Sequence, residues 1–141
     1  MRILLDTNII LDVLLARKAF VEISASLVGA VENKKIEGYL CATTITTLDY
    51  LISKALNKKR ARIEIQKILE IFKIAGVNSS VLEQAVKSKF ADFEDAVQYY
   101  SAESSEVDGI VTRNTKDYKN TRLPIYNSEE LWGLIVSGSI N

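Results

Sequence analysis

At 141 residues, 48% hydrophobic and 26% charged, the chain has the composition of one globular domain with a core of its own and not of a disordered tract. Eighteen basic residues balance eighteen acidic ones, so no global charge draws the chain to nucleic acid. The absence of histidine and the single cysteine, Cys41, together exclude Ser-His-Asp and Cys-His hydrolase chemistry, zincin and cysteine zinc sites, and intrachain disulfides.

Hydrolysis by such a chain has to rest on carboxylates, hydroxyls, lysine or a metal held by oxygen. One proline, six glycines and no internal repeat point to a single domain over 1–141. No run reaches the apolar length of a membrane span, and Asp6, Asn8 and Asp12 interrupt what would be the apolar region of a signal peptide. The expectation is a cytoplasmic protein with no membrane attachment.

The first element is a buried strand over 2–6 that carries Ile3, Leu4 and Leu5 and stops on Asp6. A carboxylate there has two readings, which are compatible: it caps the next helix, or it holds a ligand. Helices are expected over about 8–16 and 19–33, a second strand in "EGYLCAT" over 38–42, and a helix from Thr44 to about Leu56. On that helix Ile45, Leu48, Ile52, Ala55 and Leu56 share one arc, and Asp49 falls at its edge. A half-buried acid needs either a functional partner or a structural one, such as the Thr46 hydroxyl or a basic side chain. The basic run Lys54, Lys58, Lys59, Arg60 and Arg62 reads as a solvated helix end or as a phosphate-contacting patch.

A longer amphipathic helix is expected from Lys59 to Ala75, with Ala61, Ile65, Ile68, Phe72 and Ala75 at helical spacing and Gly76 as its stop. A short segment around Val77 leads to a helix from Ser80 to about Lys89. The next helix, over about 93–105, opens in "KFADFEDAVQYYSA". There Asp92 and Asp95 resemble a capping pair, while Asp95 shares a second helical line with Tyr99 and Ala102. Asp95 enters an interior cleft if that helix is buried on two sides. The strand "GIVTR" over 109–113 delivers Thr112, Arg113 and Asn114 to its end, and Asp117 follows in a turn, where Asn and Asp also serve local backbone bonding. Pro124-Ile125-Tyr126 reads as an edge strand, and Ser128 as the N-cap of a last helix with Glu130 in its first turn.

Strands alternating with helices predict an α/β fold with a parallel sheet, whose ligands bind beyond the carboxyl ends of the strands. Asp6, Asp49, Asp95 and Asp117 come from four separate segments. Converging carboxylates repel one another unless protonated or bridged by a cation, and Mg²⁺ or Mn²⁺ takes oxygen ligands without histidine.

Taken in order, "LLDTNIILD", "TTLDYL", "DFEDAVQYYSAE" and "IVTRNTKDY" resemble the signature of the PIN-domain family over residues 1 to roughly 132. The likeness is greatest to the small, single-domain prokaryotic type, many of which are VapC-like toxins of toxin–antitoxin pairs. It implies a three-layer α/β/α sandwich with a central, mainly parallel sheet, and a Mg²⁺- or Mn²⁺-dependent ribonuclease that hydrolyses RNA phosphodiester bonds. It also implies a homodimer, with surface for a second copy offered by Ile63, Leu69 and Ile71, and a cognate antitoxin. By the resemblance Asp6 matches the first family acid, Asp95 the acid on the later helix and Asp117 the last, all three as metal ligands. Asn8, Thr112 and Asn114 match polar positions that orient acids and water, and Asp92 an auxiliary acid. Asp49 departs from the pattern, because the family's second acid is usually Glu, one methylene longer; it is kept among the catalytic candidates, either reaching the metal through water or taking no part. Two rivals follow: a catalytically weak or inactive PIN-like binding protein that acts through a partner, and an unrelated metal-dependent phosphatase.

Overall fold

The computed structural model describes residues 1–139. The apolar run Ile3-Leu4-Leu5 becomes β1 (Arg2–Leu5), the central strand of a five-stranded sheet, and all three side chains are fully buried. The strands stand in the order β3-β2-β1-β4-β5, with β2 at Glu37–Cys41, β3 at Lys73–Ala75, β4 at Gly109–Val111 and β5 at Ile125–Tyr126. Every pairing is parallel, and Leu4 lies opposite Tyr39 on one side and Ile110 on the other.

Alternation along β1 sends its side chains to two different cores. Ile3 and Leu5 join the core built by α1 (Thr7–Leu14), α2 (Val21–Glu32), α3 (Ala42–Ala55), α4 (Lys58–Ile71) and α7 (Ser128–Val136). Leu4 joins the smaller core on the opposite face, beneath α5 (Ser79–Lys87) and α6 (Phe93–Ser104). The result is the expected α/β/α sandwich with its central parallel sheet. Among the described residues no helix is long and apolar enough to cross a membrane.

Two expectations are corrected. The helix read through Ala75 ends at Ile71: Phe72 is extended (φ −105°, ψ 149°) and Lys73–Ala75 pairs with β2 as β3. Phe72 and Ala75 are buried as their apolar character requires, Phe72 as the extended residue that ends α4 and Ala75 on β3, and Gly76 follows that strand instead of stopping a helix. The cap of α7 is Asn127, not Ser128. The Asn127 side chain accepts from Glu130 N–H at 2.8 Å while Glu130 accepts from Asn127 N–H at 2.9 Å, a reciprocal capping box that turns Ser128 inward as the first helical residue.

From β1 the chain builds outward to β2 and β3, then crosses to β4 on the other flank of β1. The order therefore reverses between β1 and β4, and a crevice opens beyond their carboxyl ends. Asp6 follows β1 and Thr112 follows β4 at that point.

Candidate active site

Asp6 stands at the N-cap position of α1 with extended backbone, yet its carboxylate makes no capping bond. Both oxygens turn the other way. Oδ1 accepts from Gln98 Nε2 of α6 at 3.0 Å and Oδ2 accepts from Thr112 Oγ1 at 3.0 Å. Thr112 Oγ1 in turn accepts from Asn114 N–H at 3.1 Å, which orients the hydroxyl proton toward Asp6. The carboxylate is thus fixed across β1, β4 and α6 while only 5% exposed. Each oxygen keeps lone-pair capacity for a further contact. Of the two readings of Asp6, side-chain capping fails.

Asp92 does cap α6, accepting from Asp95 N–H at 2.9 Å. That bond secures the first turn and leaves the Asp95 side chain directed at the interior side of the helix. Burial pushes Asp95 up to about 7, helped by the charges of Asp6, Asp92, Asp117 and Glu94. Glu94 is raised in the same direction, first by burial and then by Asp92 and Asp6. Asp117 ends a short 3₁₀ turn over Thr115–Asp117 and is exposed at the rim.

These side chains line one cleft of about 320 Å³. Asp6, Asp95 and Asp117 meet there with Asn8, Thr112 and Asn114, together with Asp92 and Glu94, and no lysine or arginine is among the lining residues. Among the described residues no three carboxylates stand close enough to clasp an ion unaided. The donor set still suits a hard divalent ion: it is all oxygen, it carries uncompensated negative charge, and Mg²⁺ binds through one or two carboxylates while keeping much of its water.

Asp49 is not brought into the cleft. The face of α3 that lines it carries Thr47 and Leu51, and Asp49 lies roughly 200° around the helix from either. Its carboxylate, 38% exposed, sits 3.6 Å from the Arg62 guanidinium of α4, so the structural reading with a basic partner is the one realised. Thr46 instead donates to Thr43 O at 3.0 Å. Three of the five residues of the basic run are similarly engaged: Arg62 with Asp49, Arg60 with Glu64 at 3.5 Å, and Lys54 over the Tyr50 ring at 5.6 Å.

Sequence reasoning missed three features. Gln98, fully buried on α6, holds Asp6 and retains an unpartnered Oε1; its signal was an amide in the midst of a buried helical face. The Tyr118 hydroxyl is buried without a partner at the cleft wall, and burial beside four carboxylates raises the phenol. Asp12, read only as a break in an apolar run, is 0% exposed and anchors a cluster. It accepts from Ser24 Oγ at 3.1 Å and pairs with Arg113 at 3.1 Å and Arg17 at 3.6 Å. Arg17 also donates to Asn8 at 3.2 Å, and Arg113 stacks on Phe20 at 3.9 Å. Arg113 lies between Thr112 and Asn114, so the cluster buttresses the cleft from behind.

A PIN domain family model matches residues 2–116. The chain is 25% identical over 134 residues to Ribonuclease VapC1 of Aquifex aeolicus (strain VF5), covering 92% of each chain. Its fold matches that of VapBC2 from Rickettsia felis bound to a DNA fragment from their promoter, with TM-score 0.70, 16% identity, and coverage of 90% of this chain and 98% of that one. It also matches DNA-bound VapBC from Salmonella typhimurium (TM-score 0.69, 13% identity, 91% and 98% covered). A third match is VapBC-1 from nontypeable Haemophilus influenzae (TM-score 0.67, 18% identity, 92% and 99% covered). At these identities the structural matches establish a shared fold.

Proposed function

The chain belongs to the PIN-domain family, and from that premise we propose that it is a VapC-like ribonuclease, dependent on Mg²⁺ or Mn²⁺, and the toxin of a toxin–antitoxin pair. The observation that carries this reading is the convergence of Asp6, Asp95 and Asp117 on one cleft that contains no cationic side chain. Asp6 and Asp95 would hold the ion, with Asp117 as the third acid of the cleft. When bound, the ion lowers the pKa of water and offsets charge on the phosphodiester and its leaving oxygen.

The protein's own groups prepare that chemistry. Gln98 and Thr112 lock the Asp6 carboxylate in a single orientation. Asp92 fixes the first turn of α6 and with it the position of Asp95. Burial and the neighbouring acids raise Asp95 to about 7, so it gives up its proton less readily than an ordinary carboxyl, and cation binding there is linked to release of that proton. Asn114, at the rim, and Asn8, held by Arg17, are placed to orient water or a phosphate oxygen. No histidine base is needed.

The antitoxin proposal draws on the likeness to VapB–VapC complexes. The homodimer proposal draws on Ile63 and Leu69, exposed on α4. With RNA as substrate, we take the site of action to be the cytoplasm. The rival reading, a catalytically silent PIN-like binding protein, is favoured by one observation: no three carboxylates stand within clasping distance among the described residues.

The deciding experiment incubates wild type, Asp6→Asn and Asp95→Asn with end-labelled single-stranded RNA in Mg²⁺, Mn²⁺ or EDTA. Cleavage by wild type alone, abolished by EDTA, supports the nuclease. Equal cleavage by all three proteins removes these acids from the mechanism. No cleavage by folded wild type on several RNAs, with no stabilisation by either ion, favours the binding protein.

A further inference from the structure

A second depression of about 530 Å³ opens beside the cleft, and Asp117 lines both. Its walls carry Lys87 at the end of α5, Lys89 in the segment before α6, Lys116 in the 3₁₀ turn, and Lys119 just beyond it. All four are exposed, and none takes part in the ion pairs of the described residues. Phe90 and Tyr100, both half-buried, form part of its lining with ring centroids 6.2 Å apart in an edge-on arrangement. Phe90 also packs against the buried rings of Tyr99 at 5.5 Å and Tyr118 at 5.7 Å, so its plane is held from behind. Tyr118 is at the same time a wall of the acidic cleft.

Scattered surface lysines are ordinarily just solvated. These four differ in surrounding a groove with an aromatic floor and in meeting the carboxylate cleft at Asp117. A chain of zero net charge with an acid-lined cleft repels a polyanion unless positive charge stands close by. Lysines that track phosphates, combined with aromatic faces for unpaired bases, make a site for single-stranded nucleic acid. We propose that this groove is the single-stranded RNA subsite beside the scissile bond, with Lys87, Lys89, Lys116 and Lys119 on backbone phosphates and a base against Phe90 and Tyr100. The proposal rests on the nuclease reading and gives it a direction: the strand runs through the groove and passes Asp117 as it enters the cleft.

The test is fluorescence anisotropy of the whole protein with a labelled oligouridylate of about fifteen nucleotides, in EDTA, across a salt series around 100 mM. Changing all four lysines to Ala should weaken binding at least tenfold and flatten the slope of log affinity against log salt by about 2 to 3, at about 0.7 per lost phosphate contact. Phe90→Ala should cost about fivefold with the salt slope unchanged. Lys58→Ala with Lys59→Ala, on α4, should leave binding as in wild type. The pairs Lys87/Lys89 and Lys116/Lys119, changed separately, give half the effect each if the fourfold variant melts early. Wild-type binding that is indifferent to the four lysines overturns the groove while leaving the nuclease reading intact. Absence of both binding and cleavage by wild type overturns that reading and the groove with it. Lysine-dependent binding of poly-glutamate, with no RNA bound, overturns the proposal in favour of an acidic polypeptide.

Discussion

Asp6 owes its fixed orientation to two neutral donors, and under the proposed metal-dependent mechanism those donors set how well it holds an ion. Outer partners of a metal-holding carboxylate typically matter by about 10–100-fold in metal affinity or activity. Gln98→Leu is therefore expected to lose about that much cleavage while melting cooperatively, as measured by initial rates at fixed Mn²⁺. Asp95 sets a pH dependence. Its native pKa of about 7 lies above the ordinary carboxylate value of 3.8, so between these limits the native state binds more protons than the unfolded chain. The contribution of Asp95 to the stability of the metal-free protein should thus fall as pH rises from about 4 to about 7 and level off above that, and Asp95→Asn should remove that contribution. A urea midpoint series in EDTA measures this; parallel curves for the two proteins would refute it. Asp12 is a structural counterpart. Asp12→Asn leaves Arg113 and Arg17 without their shared buried anion, and a loss of about 3 kcal/mol is expected in the same denaturation assay.

Among the elements, the strand–helix contacts are tight where the sheet needs glycine. A Cβ on Gly38 of β2 would stand 2.7 Å from both Phe72 and Val31, two side chains already in the core, so α2 and the end of α4 would have to move. Gly38→Ala is expected to destabilise by about 1–3 kcal/mol, seen as a lower denaturation midpoint with an unchanged m-value. The lost helix end at Phe72 belongs to this scale as well. Residues 72–75 carry apolar groups at positions that fit a helix and a strand alike, and short apolar runs do not distinguish the two by spacing. What decides for β3 is the free edge of β2, which supplies its backbone partners. The caps are legible only in part: Asp92 caps α6 as its spacing to Asp95 suggests and α7 is capped one residue before Ser128, but Asp6 makes no side-chain cap, and the Asn57 and Asn78 caps carry no such signal.

Over the whole molecule, zero net charge conceals a separation into an acid-lined cleft and a lysine-lined groove that share Asp117. An ion held in the cleft binds the native state alone, so Mg²⁺ or Mn²⁺ should raise the melting temperature of wild type in a concentration-dependent way, and Asp6→Asn should abolish the rise. A melting temperature insensitive to both ions would count for the silent binding protein. The sequence by itself determined the α/β alternation, the parallel sheet and the strand-end acids, because hydrophobic periodicity and carbonyl-end placement are local properties of the chain. It also determined that histidine-based catalysis, cysteine zinc sites and intrachain disulfides are excluded. Only the tertiary structure decided which acids share a cleft. Asp95 faces inward because α6 is packed against both the sheet and α5, whereas Asp49 turns to Arg62 because α4 lies along its side of α3. Gln98 and Asp12 take their places through partners distant in sequence, and no spacing along the chain encodes a contact across 92 residues.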